Sequence, residues 1–365
     1  MRLLQITASD VWRGHEQQIV YYYDEFNSKI EHQVLLCPSN TRLSEIAIQK
    51  EYNLYTLPFK SEYDLKWMRK INQIVREEKI DVILIHNSTS HTMCVLSSLL
   101  FGWKTPMIFF RTLIKKVDTN FFRKWKYNYK GLKKIVCVSE AVRKVLLSAI
   151  KDHNRLAIVG SATDLSEFSN TQKTGFLHKE LGLNPEVKLI ANIAAFVPFK
   201  DHITFVDTVE ILAKKIPNSK FLLIGKGELE VDIKEYVASK SLNDVIIFLG
   251  FRDDIPKIFP EFDVFLFTSK LEPTGGVLLE AYASKVPIVA TRAGGIPEVV
   301  VENNTGLLCE KENPKEFANA VLRLLSDEQL RNSQVENGYQ YLKENFTKEV
   351  IAAKMLKELQ DVLKS

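Results

Sequence analysis

Short apolar runs recur along this chain and are separated by longer amphipathic segments, and that alternation limits its fold more than any other feature. The runs are LLQI, QVLLC, DVILIH, MIFF and KIVCVS in the first half, and KLIANI, KFLLIG, VIIFLG, DVFLFT and PIVAT in the second. Apolar runs without polar alternation read as strands buried on both faces, as in parallel sheets covered by helices. One intervening segment, Asp64–Lys79, sets Leu65, Met68, Ile71, Ile74 and Val75 on one face of a helix. Another opens with Asp201 as its N-cap. Strand and helix in alternation predict doubly wound α/β sheets. A chain of 365 residues exceeds one ordinary core, so two domains are expected. The alternation lapses once, in the polar and turn-rich Asp164–Lys188, which reads as the interdomain linker. The expected domains are then 1–168 and 186–346, two Rossmann-like units of similar size with a cleft between them. The last segment, TKEVIAAKMLKELQDVLKS, reads as an amphipathic helix.

No apolar run approaches the roughly 20 residues that span a bilayer. The N-terminal MRLLQITASD lacks the apolar stretch and cleavage site of a signal peptide, so a cytoplasmic protein is expected. Cys37, Cys94, Cys137 and Cys309 are far apart, form no CxxC pair and lie in or beside apolar segments, the pattern of reduced buried thiols. The net charge of +4 conceals an asymmetry: residues 1–165 carry 25 basic and 16 acidic side chains, and the remainder 24 and 29. Lys115–Lys134 alone holds eight bases, one acid and five aromatics: Phe121, Phe122, Trp125, Tyr127 and Tyr129. Bases interleaved with rings suit an anionic surface, and Lys115, Lys116, Arg123, Lys124 and Lys126 are the expected contacts to an acceptor or a membrane. The alternative is a solvated helix face with its rings packed inward. No nucleic-acid motif accompanies the charge.

SKLEPTGGVLLEAYASKVPIVATRAGGIPEVV (Ser269–Val300) brackets a glycine loop with Glu272 and Glu280. A helix start offers unpaired amides and partial positive charge, and glycine lets a phosphate approach the backbone. Gly275, Gly276, Val277 and Leu278 are therefore candidates to hold phosphate. Glu280, a turn further on, suits vicinal hydroxyls such as those of a ribose. Glu272, on the other side, suits the hydroxyls of whatever the phosphates carry. Acids flanking a diphosphate describe a nucleotide-sugar, although the spacing alone also fits an ordinary strand-loop-helix connection.

These residues, followed by PIVATRAGGIPEVV and NNTGLLC, resemble the donor-site signature of the retaining glycosyltransferases of family 4. VWRGHEQQ, DVILIHNSTSHT, VCVSEAVRKVL, VGSATDLSEF, FLLIGKGELE, VIIFLGFRDDIP and DVFLFTSKLEP follow in that family's order. The resemblance implies the GT-B fold, with residues 347–365 returning to the first domain. It implies a donor set of Gly14, His15, Lys200, Arg252, Glu272, Gly275, Gly276, Val277, Leu278 and Glu280, with Glu272, Lys200 and Arg111 as catalytic candidates. There are departures. The family's diphosphate arginine is replaced by Ala195, and Arg111 stands where many members have histidine, a position from which it would replace the missing arginine or grip an anionic acceptor. With no Asp-x-Asp pair and no metal-ligand spacing, neither metal nor cofactor is expected, and helix dipole and lysine would replace the cation.

The implied reaction is retaining transfer of a sugar, from a UDP-sugar by preference, to a glycan or lipid-linked acceptor in cell-surface polysaccharide or glycolipid synthesis, including lipopolysaccharide. Peripheral association with the inner face of the membrane is expected. Two other readings stand beside it. A dinucleotide oxidoreductase needs GxGxxG after the first strand, where the chain offers only WRGHEQ. A GT-B protein without transferase activity (an epimerase, a phosphorylase or an inactive subunit) shares the fold, but an inactive subunit would tend to lose Glu272, Glu280 or Lys200.

Overall fold

The computed structural model describes residues 1–12, 14–117, 121–168 and 172–364. Arg13 of the first glycine loop, residues 118–120 of the basic aromatic stretch and residues 169–171 of the expected linker lie outside them. The chain forms two compact units, Met1–Ala162 with Lys348–Ser365, and Thr163–Thr347.

In the first unit the strands are β1 (Arg2–Ile6), β2 (His32–Pro38), β3 (Leu54–Leu57), β4 (Val82–Ile85), β5 (Met107–Arg111), β6 (Leu132–Cys137) and β7 (Leu156–Ile158). They form a parallel sheet in the order β3-β2-β1-β4-β5-β6-β7. Every residue of β4 and β5 is buried, because helices cover both faces. Asp64 caps the helix Leu65–Glu77, its carboxylate accepting from the Lys66 amide at 2.8 Å. Ser139, in the VSEAV motif, caps Glu140–Leu146 through the Val142 amide. The C-terminal helix Lys348–Lys364 packs on Gly14–Phe26 and is anchored by an ion pair between Lys134 and Glu358.

The second unit contains β8 (Lys188–Ile193), β9 (Ser219–Ile224), β10 (Ile246–Gly250), β11 (Val264–Phe267), β12 (Ile288–Thr291) and β13 (Leu307–Cys309). These too are parallel, in the order β10-β9-β8-β11-β12-β13. Apolar clusters fill both faces, one around Phe259, Phe265 and Tyr282, the other around Phe205, Phe221 and Phe317.

The linker expectation needs correction. Asp164–Lys188 is polar in composition, yet its described residues belong to the second unit, and Phe168, Leu177 and Val187 enter that unit's core. Leu177, on the helix Phe176–Glu180, is fully buried there. The carboxylate of Glu261, also fully buried, accepts from the Thr174 amide at 2.7 Å and the Gly175 amide at 3.0 Å. A buried acid that satisfies backbone donors ties down a segment whose own side chains give little sign of docking. The second unit accordingly starts at Thr163, which bridges to Thr347 at the unit's other end.

Candidate active site

In a doubly wound sheet, ligands bind beyond the carboxyl ends of the strands where the winding reverses. In the second unit that point lies between β8 and β11, and both loops there carry charged candidates. The loop after β8 runs through Ala195 to Lys200, and Asp201 then caps the helix His202–Lys215. Asp201 adopts φ 51°, a left-handed conformation that aspartate tolerates better than most residues. Its carboxylate accepts from the Thr204 hydroxyl at 2.6 Å.

The loop after β11 is stitched to this turn. Thr268 Oγ1 donates to the Asp201 carbonyl at 3.0 Å, and the Lys270 amide to the Phe199 carbonyl at 2.8 Å. The stitching brings Lys200 and Glu272, 72 positions apart in sequence, into a direct ion pair between Nζ and Oε1. The same Oε1 lies 2.8 Å from the Ser269 hydroxyl, whereas Oε2 accepts no hydrogen bond among the described residues. Lys200 Nζ also lies 5.2 Å from the centre of the Phe267 ring, an added cation–π contact.

The second glycine pair has a steric reason. A Cβ on Gly294 would stand 2.2 Å from the Glu272 carbonyl oxygen, and φ there is 56°. The Gly295 amide donates to that same oxygen at 2.8 Å. The loop after β12 thus holds the backbone of Glu272. Gly276 differs: a Cβ there would meet nothing within 4 Å, and the residue is exposed at the start of the helix Gly276–Ala283. Gly275, at φ 78°, is the N-cap, and no side chain caps this helix. Leu278 needs correction as a phosphate ligand, because its amide donates to the Gly275 carbonyl at 2.9 Å and its side chain is fully buried. The anion-facing candidates on this helix are the amides of Gly276 and Val277.

Glu280, one turn on, is half-buried and makes no hydrogen bond through its carboxylate among the described residues. Burial, and secondarily the charge of Glu167, pushes it up to about 7. Arg252 is committed elsewhere, with its guanidinium bonded to Glu180 at 2.5 Å and Asp254 at 2.7 Å. Ala195 is exposed, so the position of the family's arginine opens outward without charge. Lys226 is a further candidate that the implied donor set does not include. It is exposed, makes no ion pair among the described residues, and its carbonyl accepts from the Phe196 amide, next to Ala195, at 3.0 Å. Gly225 and Gly227 allow this approach: a Cβ would stand 2.0 Å from the Ala194 oxygen at the first and 2.4 Å from the Phe196 oxygen at the second. A lysine between two such glycines was the available signal.

The first unit's candidates are bound up more tightly. Gly14 opens the helix Gly14–Phe26, and His15 Nε2 lies 2.6 Å from Glu16 Oε1. His86 is buried against Gln5, with Nε2 and Oε1 3.0 Å apart, and burial holds it down at about 3. Arg111, at the end of β5, is a buried strut: Nη1 donates to the Tyr127 hydroxyl at 2.7 Å and Nη2 to the Lys115 carbonyl at 2.8 Å. Its catalytic assignment is corrected to this extent, that both terminal nitrogens hold the unit's own chain. Lys126 is corrected too. It is no surface base: its ammonium is buried, donates to Thr92 Oγ1 at 2.7 Å, and is lowered to about 8, chiefly by burial. Lys115, Lys116 and Arg123 are exposed and Lys124 is half-buried.

Residues 12–167 match the family model described as Glycosyltransferase Family 4, and residues 173–341 match that described as Glycosyl transferases group 1. The chain is a glycosyltransferase of family 4. Among curated relatives of this glycosyltransferase is the N-acetyl-alpha-D-glucosaminyl L-malate synthase of Bacillus anthracis, 26% identical over 89% of this chain and 85% of the relative. Another is the UDP-Gal:alpha-D-GlcNAc-diphosphoundecaprenol alpha-1,3-galactosyltransferase of Escherichia coli, 24% identical over 77% of each. Among solved structures, Anabaena HepE in complex with UDP and glucose is similar over 99% of this chain and 100% of its own (TM-score 0.84, 17% identity). A glycosyltransferase from Rickettsia africae matches over 100% of this chain and 99% of its own (TM-score 0.88, 19% identity). These likenesses agree with the two parallel sheets and with the GT-B fold.

Proposed function

We propose that this glycosyltransferase takes its sugar from a UDP-sugar, without a metal ion and with retention, and delivers it to a hydroxyl of a glycan or lipid-linked acceptor in cell-surface polysaccharide or glycolipid synthesis. The observation that carries this reading is the uncapped helix start at Gly276, with Lys200 and Glu272 on one side and Glu280 on the other. The amides of Gly276 and Val277 and the Lys200 ammonium would stabilise charge on the departing diphosphate. Glu280 would take the ribose hydroxyls, and Glu272 would orient the sugar. The bond from the anomeric carbon to the diphosphate oxygen breaks, the acceptor oxygen bonds to that carbon on the same face, and the acceptor proton passes to the leaving diphosphate. The UDP and glucose of the Anabaena complex and the diphosphoundecaprenol-linked acceptor of the Escherichia coli relative support this choice of donor and acceptor.

The exposed side chains of Leu113, Lys115, Lys116, Phe121 and Arg123 support association with an anionic membrane, since rings and bases together suit the headgroup region. No helix among the described residues is long and apolar enough to cross a bilayer. The decisive experiment incubates the protein with UDP-, GDP-, ADP- and dTDP-sugars, with and without chelator, and reads melting temperature, sugar release and the anomeric configuration of the product. A UDP-sugar preference, retention and full activity in chelator are expected. Inversion, or activity that magnesium alone restores, would overturn the corresponding part. Cosedimentation with phosphatidylglycerol vesicles should weaken when Lys116 and Arg123 become glutamate.

A further inference from the structure

Lys200 and Glu272 pair with each other while each is also required by a different part of the donor. We infer that this pair couples recognition of the sugar to recognition of the diphosphate, so that the site favours the intact nucleotide-sugar over its nucleoside diphosphate product. The inference rests on the donor-site reading above and concerns how that same site tells donor from product.

The ammonium and the carboxylate are both largely withdrawn from water, with side-chain exposures of 17% for Lys200 and 7% for Glu272. The loops carrying them are fixed to each other by the Thr268, Ser269 and Lys270 hydrogen bonds and by the packing of Gly294 on the Glu272 carbonyl. The charges therefore face each other in a preorganised frame. An arriving diphosphate meets a lysine whose field is cancelled by the adjacent carboxylate, and the position that could have supplied another cation holds Ala195. In partly buried surroundings that cancellation matters more than it would in water.

A nucleotide-sugar removes the mask. Its hydroxyls donate to Glu272, whose Oε2 has no hydrogen bond among the described residues, so the carboxylate gains partners other than Lys200. The ammonium can then turn its charge to the phosphates. Once the sugar has been transferred, those hydroxyls leave with it. Glu272 returns to Lys200, the diphosphate loses its cation, and product is released. The apparent defect at Ala195 fits this scheme, because a permanently available arginine would hold the product as firmly as the donor.

Calorimetry tests the coupling, using the nucleoside diphosphate among UDP, GDP, ADP and dTDP that most raises the melting temperature, together with its glucose derivative. Glu272→Gln removes the charge and keeps a similar shape. It should bind the nucleoside diphosphate roughly threefold to tenfold more tightly than the parent. The preference for the sugar derivative should shrink in the same variant. On a Lys200→Ala background, Glu272→Gln should leave diphosphate affinity unchanged. If the parent binds the diphosphate and Glu272→Gln binds it equally or more weakly, the coupling is wrong and the donor-site reading stands. If the gain persists without Lys200, the carboxylate repels phosphate directly and the coupling is again wrong. If no nucleoside diphosphate binds the parent, the donor-site reading fails and the coupling with it. Should Glu272→Gln not fold, Glu272→Asp, which draws the charge back from Lys200, must tighten binding in the same direction.

Discussion

The two units use one scaffold for opposite ends. Each is a parallel sheet whose winding reverses beside its first strand, at β1 and β4 in the first unit and at β8 and β11 in the second. At the first reversal the polar side chains are turned inward: His86 sits on Gln5, and beyond β5 Arg111 holds Tyr127 and the Lys115 carbonyl. At the second, the Lys200 and Glu272 charges meet each other, Ser269 and the neighbouring rings of Phe199 and Phe267, and Glu280 makes no hydrogen bond through its carboxylate among the described residues. Fold alone does not place chemistry; it depends on whether charged groups in the loops are spent on the chain or kept for a ligand.

The sharpest way to break this comparison lies in the glycines. Gly294→Ala places a methyl against the Glu272 carbonyl at positive φ, and should cost about 3 kcal/mol of stability, or abolish folding of the second unit. Gly276→Ala should leave stability within about 0.5 kcal/mol and still weaken nucleotide binding, because its methyl enters space otherwise open to phosphate. Equal melting temperatures for the two variants would show that the second loop does not brace Glu272.

Next come the two kinds of charge. Glu280→Ala should lose about 1.5–3 kcal/mol of nucleoside diphosphate affinity by calorimetry. Arg111→Met should instead lose about 1–3 kcal/mol of folding stability by denaturant titration, with diphosphate affinity unchanged. If Arg111→Met folds as well as the parent and cannot turn over, the arginine is catalytic after all.

The units should also respond to pH in opposite senses. Glu280 is raised from 4.5 to about 7, so the folded state holds its proton longer than the unfolded state, and stability is lost as pH climbs from about 4.5 to 7. Nucleotide affinity should rise over that window, since ribose hydroxyls donate best to the ionised carboxylate. Lys126 is lowered from 10.5 to about 8, so the unfolded state binds more protons and stability is gained as pH climbs from about 8 to 10.5. Lys126→Met should abolish the second slope and leave the first, as read by melting temperature against pH. The smallest effect belongs to Lys226→Ala, which should cost about 0.5–1 kcal/mol of diphosphate affinity if that lysine reaches the phosphates.

The sequence was most informative where a single segment carries the whole signal. The apolar runs became strands, all of them interior except VIIFLG, which is the edge strand β10; Asp64 and Asp201 capped their helices, and the loop between Glu272 and Glu280 opened a helix as its glycines require. Two other edge strands, β3 and β13, were harder to read. Residues 54–57 of β3 are nowhere fully buried, and β13 is only Leu307–Cys309, so neither leaves a continuous apolar run of useful length. Tertiary pairing left no local trace either. Nothing near Lys200 announces Glu272, and nothing in Lys115–Lys134 marks Lys126 as the base that turns inward. The polar segment after Asp164 carries little local sign of docking because its anchor, Glu261, lies far along the chain.

The bridge from Thr163 to Thr347 has a consequence for how the protein is made. The second unit is one uninterrupted stretch, whereas the first needs Lys348–Lys364 to cover the helix Gly14–Phe26. During synthesis the unit begun first is the one completed last. Until that helix leaves the ribosome, the helix Gly14–Phe26 lacks its partner, and the nascent chain must carry a first unit with a complete sheet but an uncovered helix through assembly of the second unit. A released chain ending near residue 347 would pair a complete second unit with an open first one, and loss of the residues after it would harm the part of the molecule farthest from them in sequence.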